Sequence, residues 1–185
     1  KAFAKEYKGG FDVVVGNPPY VQLQKLAEAS SKLKNIGYAT YESTGDLYCL
    51  FYEKGNIILK DKGLLGYITS NKWMRANYGT SMREYFVKNT NPYILIDLGA
   101  GVFSTAVVDS NIILFAKEKV QKTNIKALNL IKEKSVKDFS IYENQFVFMS
   151  PENSEIWNIA NPIEQKIKAK IEKVGKPLKE WDISI

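Results

Sequence analysis

Histidine is absent from this sequence of 185 residues, and cysteine occurs only once. Without histidine, the chain lacks the most common metal ligand and the usual general base, so its catalysis must avoid imidazole and most zinc chemistry. A single cysteine, Cys49, cannot form an intramolecular disulfide. It lies in an apolar run, which predicts a core position, and a reducing compartment is expected.

Long apolar runs are also missing. No stretch approaches the roughly 20 apolar residues that span a bilayer, and no signal peptide is visible, so we expect no membrane association and a cytoplasmic location in a bacterium or archaeon. Apolar residues form 45% of the chain, enough for a substantial core. The net charge of +6 fits a polyanionic partner such as nucleic acid, and equally a lysine-rich soluble protein. The chain begins without Met directly ahead of an apparent strand, which suggests a piece of something larger.

Hydrophobic patterning predicts an α/β fold in which strands alternate with helices through residue 90. Beyond that point two strands follow with too short a link for a crossover helix, so this pair should be antiparallel. The predicted strands are 11–15 (buried), 64–69, 93–98 and 107–117, and the predicted helices are 46–59 (with Asp46 as N-cap), 79–88 and 161–174. Residues 22–45 are expected to form a long mobile loop with one helical turn at most, 61–63 and 70–78 to be loops, and 125–149 to hold one or two further β segments.

A short motif, Asn17-Pro18-Pro19-Tyr20, follows the first strand directly. Each proline fixes its own φ and pushes the preceding residue into an extended conformation, so the turn is stiff. It stands at the carboxyl end of a strand, where open α/β sheets place their ligands. The Asn17 side chain and the Pro18 carbonyl offer two acceptors for the protons of an amine, and Tyr20 offers a π-face for a base. Such acceptors stabilise positive charge that develops on a nitrogen nucleophile.

Residues Phe11 to Tyr20 resemble the strand-four motif of class I adenine-N6 DNA methyltransferases. Later segments resemble TaqI-type enzymes in the same order, and four segments in order are far more specific than one. They are 46–54, then 63–71 with Trp73 and Tyr78, and finally 97–103 with 111–115. Residues 170–181 more weakly resemble the lead-in to the target recognition domain of combined (type IIG) restriction–modification enzymes.

The resemblance implies the carboxyl-terminal half of a Rossmann-like class I methyltransferase sheet. It also implies methyl transfer from S-adenosylmethionine to the N6 amine of a flipped adenine, without a metal. The catalytic residues would be Asn17, Pro18, Pro19 and Tyr20. The target base would stack on Tyr20 and Phe103, and the cofactor would contact Asn17, Pro19 and Phe51. Phosphate contacts would come from Lys72 and Arg75 in the loop 70–78, which would face double-stranded DNA. For Lys25, Lys32 and Lys34, a solvated charge run is the preferred interpretation.

The chain departs from the family in what precedes Phe11. No glycine-rich turn that would hold S-adenosylmethionine is present there, so the chain alone is expected not to methylate DNA. It would need the rest of its parent, namely the cofactor-binding half and the recognition domain. We expect residues 1–120 to form a partial catalytic domain, 121–160 a β-rich extension, and 161–185 a helical lead-in. The open side of the first strand should be sticky.

Two other functions stay open. A protein-glutamine N5 methyltransferase uses the same Asn-Pro-Pro-Tyr turn on the same kind of amine, although the loop 22–45 and the turn at Phe103 favour DNA. RNA adenine methylation is also compatible. A non-catalytic DNA-binding or assembly module forms a different class, which only the longer protein can distinguish.

Overall fold

The structure, a computed structural model, describes residues 9–102, 108–133, 138–152, 155–176 and 180–181. In this part of the chain, six strands and four α-helices are connected by short loops and 3₁₀ turns. The strands are β1 (Phe11–Gly16), β2 (Leu59–Ser70), β3 (Asn91–Gly99), β4 (Ser110–Ala116), β5 (Ile125–Asn129) and β6 (Val147–Met149). The helices are α1 (Glu28–Ile36), α2 (Leu47–Ile58), α3 (Thr80–Asn89) and α4 (Pro162–Val174).

The strands form one mixed sheet in the order β1-β2-β4-β3-β5-β6. β1 is parallel to β2, and β5 is parallel to β3. β4 lies between β2 and β3 and is antiparallel to both, which confirms the predicted antiparallel pair. The carboxyl ends of β1, β2, β3 and β5 therefore lie together at one end of the strands, which we call the carboxyl edge of the sheet.

One face of the sheet is covered by α2 and α3. Side chains from both helices pack with alternate residues of β2, β3, β4 and β5, and Cys49 lies in this core as predicted. The other face is covered at the β3–β5 side by the 3₁₀ segment Phe139–Gln145, whose Tyr142 contacts a second apolar cluster. Beside β1, no element among the described residues covers that face.

The prediction that the first strand is buried was wrong for the described residues. β1 is an outermost strand of the sheet, and Val13 and Val15 on its open face are 57% and 76% exposed. The apolar pattern reflects a strand with a hydrophobic face that no other described element covers. The predicted stickiness of this strand is consistent with such a face.

The prediction of a long loop over residues 22–45 was also wrong. A 3₁₀ turn, Leu23–Leu26, leads into α1, which has nine residues. An i,i+4 ion pair between Glu28 and Lys32, at 2.7 Å, supports α1, and Gly37 ends it in the left-handed conformation with φ 82°. α1 is largely exposed, and its apolar residues Ala29, Leu33 and Ile36 do recur at helical spacing, but they are few among polar residues and the prediction overlooked them.

The remaining elements differ from the predictions mainly in their bounds. β2 begins at Leu59, so the predicted loop at 61–63 lies inside the strand, and β3 already begins at Asn91. The loop 70–78 contains two 3₁₀ turns, Lys72–Met74 and Asn77–Gly79. The predicted carboxyl-terminal helix is confirmed as α4, which begins with a capping box between Asn161 and Glu164. Across the described residues, no helix combines the length and apolarity that crossing a bilayer requires.

Candidate functional site

The Asn17-Pro18-Pro19-Tyr20 turn lies at the shared carboxyl edge, directly after β1. The residue before it lies close to Tyr67: a Cβ at Gly16 would lie 3.2 Å from a carbon of that ring, so a side chain there would require the ring to shift by a few tenths of an ångström. Asn17 and Pro19 are exposed and Pro18 is buried. The amide of Asn17 is thus accessible at the end of a strand, as the predicted acceptor role requires.

Tyr20 is held from two sides. Its hydroxyl donates to the carbonyl of Ile68 at 3.4 Å, and its ring meets the ring of Tyr48 edge-on, with centroids 6.2 Å apart and planes at 87°. Burial is the main cause that raises the pKa of the Tyr20 phenol, while a hydrogen bond with Ser110 lowers it. The ring therefore stays neutral and is partly buried against the core, with its remaining surface available to a ligand.

A cleft of about 290 Å³ opens beside Tyr20. It is lined by Tyr20, Val21, Gln22, Lys25, Asp46, Ser70, Lys72 and Val108. Lys72, predicted to contact phosphate, thus lies at the same cleft as the predicted stacking residue. Lys25, interpreted from the sequence as part of a solvated run, lies there too, because backbone hydrogen bonds hold the 3₁₀ turn Leu23–Leu26 against the start of α2. The polar sequence around Lys25 gave no sign of this turn.

The segment after the motif is joined to the start of α2 by backbone hydrogen bonds. The amide of Leu47 donates to the carbonyl of Val21 at 2.8 Å, and the amide of Leu23 donates to the carbonyl of Gly45 at 2.9 Å. Asp46 is the N-cap residue of α2, as predicted, but its carboxylate makes no capping hydrogen bond. It accepts instead from the hydroxyl of Tyr78 at 2.7 Å, so it links α2 to the loop 70–78.

Glu53 extends this framework on α2. The residue is 8% exposed, and its carboxylate accepts from the backbone amides of Ala39 and Thr40, at 3.1 and 2.9 Å, and from the Thr40 hydroxyl at 3.0 Å. It therefore fixes the chain between α1 and α2. A carboxylate directly after the apolar run 47–52 was the available signal for this contact, and the prediction overlooked it.

Asp97, at the end of β3, is a buried carboxylate whose role was not predicted. It is fully buried and accepts from Asn71 Nδ2 at 2.7 Å, Arg75 Nη2 at 3.1 Å and the amide of Gly99 at 3.3 Å. It thus ties the loop 70–78 to the glycine turn after β3. Arg75, predicted to contact phosphate, has its guanidinium paired with Asp97, although 42% of its side chain remains exposed.

The loop 70–78 is largely packed inward. Trp73 and Met74 are fully buried, and Arg83 of α3 donates to the carbonyls of Trp73, at 2.6 Å, and Ala76, at 3.0 Å. Burial lowers the pKa of Arg83. The expectation that the loop as a whole faces DNA therefore needs correction, because its aromatic centre belongs to the core. Lys72 and part of Arg75 stay exposed.

Of the two further predicted site residues, one lies apart from the cleft and the other is not among the residues that the structure describes. Phe51 is 39% exposed on α2 and is not among the residues that line the cleft. Phe103, the predicted second stacking residue, lies outside the described residues. The cofactor and stacking roles of these two residues remain predictions.

The sheet matches that of class I S-adenosylmethionine-dependent methyltransferases. The chain superposes with a TM-score of 0.60 on a modification subunit of a putative type I restriction enzyme from Vibrio vulnificus, at 16% identity, covering 88% of this chain and 40% of that one. A putative methyltransferase of this class from Listeria monocytogenes gives a TM-score of 0.52 at 17% identity, covering 74% of this chain and 41% of that one. At such identities the similarity establishes the fold alone.

Residues 1–103 match the model of the Eco57I restriction-modification methylase family, and the chain belongs to this family. It is also similar to the type II methyltransferase M.BanIII of Aneurinibacillus aneurinilyticus, with 35% identity over 113 residues. That alignment covers 60% of this chain and 19% of the relative. The chain spans less than a quarter of the length of the relatives that it matches.

Proposed function

We propose that the protein is a site-specific DNA methyltransferase of a restriction–modification system and that it modifies the N6 amine of adenine. The observation that carries the proposal is the Asn17-Pro18-Pro19-Tyr20 turn at the carboxyl edge of the sheet, with Tyr20 on a cleft that Lys72 also lines. Membership of the Eco57I family supports the reaction class. The specificity for adenine rests on the motif.

In this proposal, Asn17 and Pro18 act on the amine that receives the methyl group. The Asn17 side-chain oxygen and the Pro18 carbonyl accept the two amine protons, which frees the nitrogen lone pair from the ring and stabilises the positive charge that develops there. Tyr20 stacks on the flipped base and offsets the stacking lost from the duplex, with Phe103 as the proposed partner on the other side. A histidine base is not needed.

The cofactor in this proposal is S-adenosylmethionine, which supplies an electrophilic methyl group when bound. Asn17, Pro19 and Phe51 are all exposed, as residues that receive a ligand must be. An amide and an aromatic ring suit hydrogen bonding and stacking with an adenosyl group. Further contacts would come from the rest of the protein, and the open apolar face of β1 supports a neighbouring part that covers it.

Double-stranded DNA is the proposed substrate. Lys25 and Lys72 give the cleft two cations against the single carboxylate of Asp46, which already accepts a hydrogen bond from Tyr78. Cations beside a base-sized opening suit the phosphates that flank a flipped nucleotide. Lys72 is therefore proposed as a phosphate contact.

The test is methyl transfer from tritiated cofactor to duplex DNA by the full-length protein, comparing Asn17→Ala with Asn124→Ala. Asn124 is an exposed asparagine at the opposite edge of the sheet, immediately before β5. We expect N6-methyladenine from the wild type and the control, and a fall in kcat of about 100-fold or more in Asn17→Ala, similar to the loss of one oxyanion-hole donor. Label in a protein glutamine, in RNA or in no product would reject the proposal.

A further inference from the structure

Three polar side chains form a hydrogen-bonded series behind Tyr20. The hydroxyls of Tyr48 and Tyr78 lie 2.8 Å apart, and the Tyr78 hydroxyl donates to Asp46 Oδ2 at 2.7 Å. The three residues come from two elements, since Tyr48 and Asp46 belong to the start of α2 and Tyr78 to the loop after β2. Their separation in sequence hides the series until the chain is folded.

The series has one direction. Tyr78 carries a single hydroxyl proton and donates it to Asp46, so its oxygen must accept the proton of Tyr48. Burial is the largest cause that raises the pKa of both phenols, so both protons stay in place wherever the protein is folded. The Asp46 carboxylate therefore orients first Tyr78 and then Tyr48.

The series ends on the predicted stacking residue. The Tyr48 ring is fully buried and meets the Tyr20 ring edge-on at 6.2 Å and 87°, a geometry that aromatic quadrupoles favour. The hydroxyl of Tyr20 is held at its far end by Ile68 and Ser110. Contact with Tyr48 fixes the remaining freedom, which is the tilt of the Tyr20 ring plane toward the cleft.

Asp46 also borders the cleft itself. It lines the same opening as Tyr20, and its backbone forms an isolated β-bridge with Gln22, two residues after Tyr20. Asp46 is thus connected to Tyr20 by two routes, one through this backbone bridge and one through the two phenols, and only the second depends on its carboxylate.

We propose that Asp46 is a positioning residue for Tyr20 and acts through Tyr78 and Tyr48. It holds the aromatic face in the orientation that receives the target base before the base arrives. The part of the proposal that concerns the base rests on the proposed function. The orientation of the ring does not, and it can be measured without DNA.

The experiment places 3-fluorotyrosine at position 20 alone in the full-length protein and records its ¹⁹F spectrum. Asp46→Ala removes the final acceptor, and Tyr78→Phe removes both hydrogen bonds while keeping the ring. Asp46→Asn is the conservative variant, because an amide oxygen still accepts from Tyr78. The matched control is Tyr142→Phe, which removes a buried phenol that donates to Glu133 at 3.3 Å in the other apolar cluster.

We expect the signal at position 20 to shift and broaden in Asp46→Ala and Tyr78→Phe, and to stay at the wild-type position in Asp46→Asn and Tyr142→Phe. In methyl-transfer assays, the first two variants should raise KM for DNA about tenfold, since part of the base stacking is lost, with the dissociation constant of the cofactor unchanged.

An unmoved signal in Asp46→Ala and Tyr78→Phe would overturn the inference, and so would an equal shift in the Tyr142→Phe control, which would indicate general loosening. If the signal moves as expected but the wild type methylates no DNA, the positioning role stands and the proposed function fails. If the wild type methylates adenine and the signal does not move, the function stands and the positioning role fails.

Discussion

Replacing Asp97 tests whether one buried carboxylate joins the two loops at the carboxyl edge. Its Oδ1 accepts from Asn71 and Gly99, and its Oδ2 accepts from Arg75. In Asp97→Asn the Oδ1 bonds survive as neutral ones, and the new amide group faces the guanidinium. Hydrogen bonds to a charged group contribute about 1.5–3 kcal/mol and neutral ones about 1 kcal/mol, so the two Oδ1 bonds lose about 1 kcal/mol each.

The ion pair itself adds less than about 1 kcal/mol, because Arg75 is partly exposed and can return to water. Together, the weaker hydrogen bonds and the lost ion pair should lower the local stability of the two loops by about 2–3 kcal/mol in Asp97→Asn. Asp97→Leu leaves the side-chain amide of Asn71 and the backbone amide of Gly99 buried without their acceptor. Each unsatisfied group costs about 1–3 kcal/mol, so we expect the local stability of the two loops to fall by about 4 kcal/mol.

The assay is amide hydrogen exchange, read by mass spectrometry on peptides that contain residues 71 and 99. With tenfold for each 1.4 kcal/mol, Asp97→Asn should speed local exchange by about 30- to 100-fold and Asp97→Leu by about 1,000-fold. Asp109→Asn, which changes an exposed carboxylate at the same edge, is the control. Exchange in Asp97→Asn at the rate of this control would refute the calculation.

Three further predictions concern charge, the single thiol and a tight backbone contact. Lys72→Ala should reduce by about 1 the slope of the logarithm of the DNA-binding constant against the logarithm of the salt concentration. Arg75→Ala should change this slope less, because the Arg75 guanidinium is already paired with Asp97; equal slopes for the two variants would contradict this assignment. Burial raises the pKa of Cys49, so its thiolate is scarce and a maleimide at pH 8 should label it only after unfolding; labelling of the native protein, seen by peptide mass, would contradict this. Gly79→Ala would drive a Cβ into the backbone of the preceding turn and should destabilise by about 3 kcal/mol in urea unfolding, while Gly66→Ala, with only ordinary contacts, should not.

The parts of the fold that the sequence predicted are those with strong hydrophobic patterns. The β-branched and apolar runs of β2, β3 and β4 identified the strands, and the short link after β3 identified the antiparallel pair. The same patterns did not show that β1 lies at an edge, because an apolar face looks the same in a sequence whether or not another element covers it. α1 was missed because its few apolar residues, although at helical spacing, stand among polar residues that are typical of a loop.

The site was predictable where its chemistry is local in sequence. The two prolines and the neighbouring Asn17 and Tyr20 reveal a stiff turn by themselves. Asp97 contributes through contacts with Asn71 and Arg75, and Lys25 through its place on a cleft that residues far along the chain also line, so no local pattern indicated these roles. The inward packing of Trp73 was hidden for the same reason, since a polar loop with an aromatic centre has the same composition whether the ring lies in the core or in solvent.

The central position of β4 sets an order of events during synthesis. β2 and β3 run in the same direction with the width of one strand between them, and the strand that fills this gap follows both in the chain. Leu65 of β2 pairs with Phe115, roughly 50 residues later, which a ribosome takes about 3–10 s to add. Until then, two apolar strands emerge with unsatisfied edges facing each other. The nascent chain is therefore most exposed to aggregation, and most dependent on chaperones, after β3 has emerged and before β4 closes the sheet.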